Sequence, residues 1–313
     1  MAHKSRPKRV LITGCSSGFG LLTAVKAAQT GYDVIATMRN LGKADRLSRA
    51  LDTAHTAAAI DQLDVASEDM VKTITAKYAP IDILVNNAGI QMGGSLLDIN
   101  AEEIQRVFET NFFGPVNLIQ AVVPQMIELG GGLIINIASL AGRCGHMFNA
   151  TYSASKHALV GLSRSIRLEL KPFNIKVVSV EPGYHKTEII RSNANFSENF
   201  YNKESPMFEL NRGFARLMLK KVIPKASEPD GVADKIVRIM QMKNPAPHYI
   251  IGKDARLITT LQWLGLGKIF DHLAYKQLLC QTDKAKKKQK RNQDTRHKTT
   301  DTKPKAKTNS YVL

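Results

Sequence analysis

The chain has 313 residues, 43% of them apolar, enough to bury one large core without calling for a second domain. Its formal charge of +17 sits mainly at the ends: residues 281–313 carry +8 and residues 1–9 carry +4, so about +5 is left for the body, which excludes a fold that is basic throughout. Cys15, Cys144 and Cys280 are too widely and irregularly spaced for a disulfide framework or a metal site. No apolar run reaches the roughly 18 residues of a membrane span, and the basic start meets no signal-like stretch, so the expected location is the reducing cytoplasm.

Short runs rich in Val, Ile and Leu recur at 10–13, 32–37, 59–63, 81–85, 133–138, 175–180 and 248–251, each too short for a helix. Amphipathic segments fill the gaps: 19–30 closes on Gly31, and 67–78 opens on a capping Ser67 followed by Glu68 and Asp69. This alternation predicts an α/β fold, a doubly wound parallel sheet of the Rossmann type with about seven strands and helices on both faces. Right-handed crossovers put its ligand sites at the carboxyl ends of the strands.

The alternation lapses at 183–224, a stretch read as irregular whose Phe196, Phe200, Tyr201 and Phe208 suggest an apolar pocket and hence a steroid-, retinoid- or fatty-chain-like ligand. The expected organisation is a basic leader at 1–8, a single catalytic domain at 9–254, a helical extension at 255–280, and a disordered Lys-rich tail at 281–313 too polar to pack. Within the extension, Leu257, Leu261, Leu264, Ile269, Phe270, Leu273 and Leu278 give an apolar face. It is read as a cover over the substrate mouth in preference to a membrane anchor, with the tail adding weak, salt-sensitive contact with anionic membranes.

Thr13-Gly14-Cys15-Ser16-Ser17-Gly18-Phe19-Gly20 leaves the first strand and opens the first helix. Gly14 permits the tight turn, Gly18 lets the backbone approach a pyrophosphate, Gly20 lets helix and sheet pack closely, and the helix amino terminus attracts negative charge. In a dinucleotide site, an acid ending the second strand holds free ribose hydroxyls, and a base accommodates a 2′-phosphate. That strand ends Thr37-Met38-Arg39, and the nearby acid, Asp33, stands at its start. Arg39, helped by Ser17, therefore points to NADP(H).

Tyr152 and Lys156 are four apart in a helical pattern and so share a face. Spacing alone is weak, because Tyr249 and Lys253 repeat it in a strand-like run, where four residues span about 13 Å. The first pair is distinguished by its company. Ser139 lies 13 residues upstream at the end of a strand, and Asn111 lies 28 residues before Ser139.

With these residues in place, the sequence resembles the short-chain dehydrogenase/reductase family over 10–251, most of all the branch of hydroxysteroid and retinol dehydrogenases. Gly14, Gly18 and Gly20 match its glycine turn, Asp64 beside Val65 its adenine pocket, Asn87-Ala88-Gly89 its cofactor-supporting segment, and Pro182-Gly183 with Thr187 the loop that holds the nicotinamide amide. Asn111, Ser139, Tyr152 and Lys156 match the catalytic tetrad. The resemblance implies hydride transfer between NADP(H) and an alcohol or ketone, in a chain that forms a homo-oligomer.

A phenol with a pKa near ~10 is a poor acid or base at neutral pH, but a neighbouring ammonium and an oxidised nicotinamide favour its anion. Tyr152 would then exchange a proton with the substrate oxygen while Ser139 donates a hydrogen bond to it. Lys156 would also hold the nicotinamide ribose. Asn111 precedes Gly114-Pro115, where a helix irregularity would free a carbonyl to hold a water near Lys156. Cys144 and His146 make neither a metal site nor a nucleophile pair, and His146 and Met147 are read as pocket wall. A competing reading is a cofactor-binding sensor without turnover. Nucleic-acid recognition by the tail is disfavoured, because it lacks interleaved aromatics for base stacking.

Overall fold

The computed structural model describes residues 6–188 and 195–300, the side chains of 284–300 excepted. Seven strands form one sheet: β1 Arg9–Ile12, β2 Asp33–Met38, β3 Ala59–Gln62, β4 Ile83–Asn86, β5 Gly132–Ile137, β6 Ile175–Pro182 and β7 His248–Ile251, in the spatial order β3-β2-β1-β4-β5-β6-β7. Every adjacent pair is parallel. All seven expected strands are present, displaced by no more than a residue or two at their ends. Their side chains are apolar without alternation because both faces are covered. In β1, Val10 and Ile12 face a layer that includes Ala24 and Ala27 of α1 (Gly18–Gln29) and Val232 and Ile236 of α8 (Asp230–Gln241). Leu11 faces the opposite layer, with Val71 of α3 (Glu68–Lys77) and Leu118 and Val122 of α5 (Gly114–Glu128).

The order doubles back at β1, which lies between β2 and β4. Loops leaving β1 and β4 therefore part to opposite faces and leave a crevice at their carboxyl ends. The loops after β5 and β6 continue that edge.

The stretch at 183–224 is more regular than its sequence suggests. It contains α7 (Phe208–Leu217), a short 3₁₀ turn at Glu198–Tyr201, and Asn195–Phe196 paired with Met92–Gly93. Asn211 and Gly213 disguise the helix, yet both are used by the tertiary structure. The Asn211 amide donates to Asp98 Oδ2 at 2.6 Å, and a side chain at Gly213 would collide with Thr282. Phe200 packs with Phe214, Met218 and Leu278, and Phe196 and Tyr201 pack on Phe200, so these aromatics do not line the crevice.

After β7 come α9 (Lys253–Trp263) and α10 (Gly267–Thr300). The backbone past 280, expected to lack regular structure, is helical to Thr300. Its Lys, Gln, Ala and Arg are good helix formers, and Gln281 and Thr282 are buried. The tail from 301 onward and leader residues 1–5 lie outside the described residues. The expected cover is only partly formed. Ala255 and Ile258 pack with Leu140, Cys144 and Phe270, and Leu278 joins the Phe200 cluster, but Leu257, Leu264, Ile269 and Leu273 are exposed. The apolar stripe is wider than the surface available to cover it. Among the described residues, no helix is long and apolar enough to cross a membrane.

Candidate active site

The loops after β1, β2, β3, β4, β5 and β6 converge on one cavity of about 380 Å³. One end is lined by the glycine turn through Gly14, Ser16, Ser17, Gly18 and Phe19, together with Arg39, Asp64 and Val65. The other end is lined by Ser139, Tyr152 and Lys156, with Asn87, Ala88 and Gly89 on one wall and Pro182, Gly183 and Thr187 on another. Of the expected site residues, Gly20 and Asn111 stand behind the wall and support it.

The glycine turn is held from below by Thr13 and Asn87. Thr13 Oγ1 accepts from the backbone N–H groups of Asn87 and Ala88, each at 3.0 Å, and the Asn87 amide donates to the carbonyls of Thr13 at 2.7 Å and Gly14 at 3.1 Å. Gly14 and Gly18 have φ of +73° and +58°, the left-handed region. Ser17 caps α1 with no side-chain hydrogen bond into the helix, so no side chain competes for the first-turn N–H groups. This bare, backbone-lined cradle fits a pyrophosphate. Gly20 carries the close approach of helix to sheet: a Cβ there would strike the Gly14 carbonyl and the Asn87 amide. Gly20→Ala is therefore expected to destabilise the fold by about 1–3 kcal/mol and to weaken dinucleotide binding, read by denaturant unfolding and a fluorescence titration. Beyond Ser17, the end of β2 presents Arg39, exposed, and the following 3₁₀ turn presents Lys43, which also lines the cavity. Asp33 lies at the far end of β2, paired with Arg9 at 2.7 Å.

At the opposite end, α6 (Ala150–Glu169) carries Tyr152 and Lys156. Ser139, two residues past the end of β5, hydrogen-bonds the phenol. Burial nevertheless raises the phenol's pKa from 10.0, and the Ser139 hydrogen bond offsets only part of that. Lys156 is itself pulled down to about 8 by burial. Its Nζ donates to the Ile137 carbonyl at 2.8 Å and stands 5.8 Å from the Tyr152 ring centre. A helix irregularity is present where it was expected, a π-turn at Glu109–Phe113 between α4 (Ala101–Phe108) and α5. Asn111 is fully buried in it. Its side chain accepts from Ile90 N at 2.8 Å and donates to Ile90 O at 2.9 Å and Ser155 Oγ at 3.0 Å, pinning the segment after Gly89 to α6. A Cβ on Gly89 would lie 3.3 Å from Asn111 Oδ1 and 3.6 Å from Lys156 Nζ, so the two groups meet across that glycine.

A family model described as short chain dehydrogenase matches residues 8–197. The chain belongs to the short-chain dehydrogenase family. Human retinol dehydrogenase 8 is 43% identical to it over 187 residues, 58% of this chain and 60% of that protein. The 3-ketodihydrosphingosine reductase of Bacteroides thetaiotaomicron is 35% identical over 244 residues, 77% of this chain and 86% of the enzyme. A short-chain dehydrogenase from Sphingobium yanoikuyae, solved in complex with NADPH, superposes with a TM-score of 0.65 at 27% identity, covering 85% of this chain and 94% of that one.

Several features of this short-chain dehydrogenase escape a reading by sequence order. Lys43 is one, because a lysine in a loop carries no signal until the 3₁₀ turn brings it beside the crevice. Another is a chain of contacts on the substrate side. His146 Nδ1 lies 2.9 Å from the Tyr184 hydroxyl and Nε2 lies 3.3 Å from Cys144 Sγ, joining the loops after β5 and β6. Burial lowers the imidazole's pKa and pushes the Cys144 thiol up to about 11, so both are neutral at pH 7. His146 lines the cavity as expected, but Met147 turns away into the Phe200 cluster. The second Tyr/Lys pair is well separated from the site: Tyr249 lies under the ammonium of Lys235, outside the cavity.

Proposed function

We propose that this oxidoreductase transfers hydride between NADP(H) and the carbinol or carbonyl carbon of an apolar, lipid-like alcohol or ketone. The observation that carries the reading is the single cavity that joins a backbone-lined cradle and two basic residues at one end to Ser139, Tyr152 and Lys156 at the other. Gly14, Ser16, Ser17, Gly18 and Phe19 would cradle the pyrophosphate, Asp64 and Val65 the adenine, Asn87 to Gly89 and Lys156 the nicotinamide ribose, and Pro182, Gly183 and Thr187 the carboxamide. When bound, the nicotinamide supplies or accepts the hydride. The protein's own task is the proton. Tyr152 gives one to the substrate oxygen in reduction and takes one in oxidation, Ser139 donates a hydrogen bond to that oxygen as charge develops, and Asn111 holds the π-turn in register with Lys156. The raised phenol pKa keeps Tyr152 protonated at neutral pH, which suits reduction.

Two matched relatives are named for retinol and for 3-ketodihydrosphingosine, which favours a lipid substrate. A panel of retinoid, steroid and long-chain ketones and alcohols, followed by NADPH absorbance, tests the reading. NADPH binding without turnover on any member would favour a sensor in place of an enzyme.

The cofactor preference rests on Arg39 and Lys43, with no acid ending β2. Arg39→Asp should weaken NADPH binding relative to NADH, since a carboxylate repels the 2′-phosphate and accepts from free ribose hydroxyls. The lost charge-assisted contact is worth about 1.5–3 kcal/mol. Titrations of both cofactors that give an unchanged ratio would remove the 2′-phosphate assignment.

A further inference from the structure

The turn between α9 and α10 exposes several large apolar side chains close together. Trp263 is 84% exposed, Leu264 54% and Ile269 54%, with Leu266 between them and Leu273 one helical turn further along. Gly265, at φ +75°, makes the turn, and nothing lies within 4 Å of where its side chain would be, so the tip protrudes. Scattered exposed apolar residues need no explanation, but a tryptophan, two leucines and an isoleucine within seven residues form a patch. The inner faces of the same helices are fully used by Ala255, Ile258 and Leu278, so the patch is what remains after the fold has taken its share.

The charge around the patch selects among possible occupants. From 255 to 283 the acids are Asp271 and Asp283, against Arg256, Lys268 and Lys276, and residues 284–300 along the same helix add eight Lys and Arg against one Asp. Two copies pairing symmetrically through this tip would bring those basic segments side by side, a like-charge arrangement that opposes association. An anionic lipid surface satisfies both halves of the pattern, taking the apolar tip into the acyl boundary and the lysines among the headgroups, with the indole at the interface. We infer that the α9–α10 turn docks this protein on anionic membranes by inserting Trp263, Leu264, Leu266 and Ile269. The docking is peripheral.

The inference rests on exposed residues and not on the proposed reaction, and its test needs neither cofactor nor substrate. Trp263 is the chain's one tryptophan, so the intrinsic indole emission of the full-length protein reports this position alone. With vesicles of phosphatidylcholine and phosphatidylserine the emission should shift to the blue and be quenched by lipids brominated on their acyl chains. Binding should weaken several-fold when phosphatidylserine is omitted or salt is raised. The double variant Leu264→Asp, Leu266→Asp keeps the reporter and should bind at least about tenfold more weakly, with melting temperature and turnover on a water-soluble substrate unchanged. Emission and sedimentation unaffected by vesicles would overturn the inference. So would a blue shift that follows protein concentration without lipid, accompanied by a dimer's mass, because the occupant would then be a second copy.

Discussion

Replacing Tyr152 by Phe is expected to lower turnover by about 10²–10⁴-fold, the usual contribution of a positioned acid or base, while NADPH affinity stays within a few-fold. The ring and its packing are retained, and only the oxygen is removed. The fold should be little affected: the phenol hydrogen-bonds Ser139, whose hydroxyl keeps a second contact by accepting from Ala141 N at 3.1 Å. A single hydrogen bond of this kind contributes about 1 kcal/mol. The pH dependence separates a chemical role from a packing role. Oxidation needs the phenolate, and burial raises the phenol's pKa, so oxidative kcat of the wild type should climb with pH through the alkaline range. Reduction needs the phenol and should be flat at neutral pH and fall on the alkaline side. The residual activity of the variant should show neither limb. Near wild-type turnover with the alkaline rise intact would mean that another group moves the proton.

What the sequence made legible follows from how each feature is encoded. The seven strands are buried on both faces, so their Val, Ile and Leu runs announce them. The glycine turn and the Ser139, Tyr152 and Lys156 set depend on local order along the chain, which survives in a linear reading. Features whose meaning lies in tertiary contacts were missed. Asn211 and Gly213 look like loop residues until Asp98 and Thr282 are seen packed against them. Thr13 reads as a strand end, yet its hydroxyl holds the backbone of Asn87 and Ala88. The sign of the Tyr152 shift could not be read from a neighbouring lysine, because it depends on how deeply both groups are buried. The apolar face of the last two helices was legible, but its division into a packed half and an exposed half was not. Helical periodicity places residues on a face without saying how much surface lies opposite.

Replacing Lys156 by Met should impair function and, in a definite pH window, change stability. Met keeps much of the volume and removes the charge, so the loss falls on electrostatics. Weaker cofactor binding and slower turnover are both expected, together on the order of ten- to hundredfold from a lost charge-assisted contact. The stability effect follows from linkage. Lys156 has its pKa pulled from 10.5 down to about 8 by burial, so the unfolded chain binds this proton more tightly than the folded one. Below about pH 8 both forms are protonated, and the buried charge opposes folding by about 3 kcal/mol. Between about 8 and 10.5 the folded form has lost the proton and the unfolded form still holds it, so stability rises with pH through that window. Met has no such term. It also leaves the Ile137 carbonyl without the donor it has at 2.8 Å, a pH-independent loss of about 1–3 kcal/mol. The sign of the difference at neutral pH is therefore set by two opposing effects of similar size, but its slope is not. Denaturant unfolding of the two proteins at matched pH should show the wild type gaining on the variant from pH 8 to 10, with every other titrating group common to both and cancelling. A difference that stays flat across that range would mean that Lys156 keeps its ordinary pKa in the folded protein, and with it would go the view of this lysine as a charge held out of water beside Tyr152.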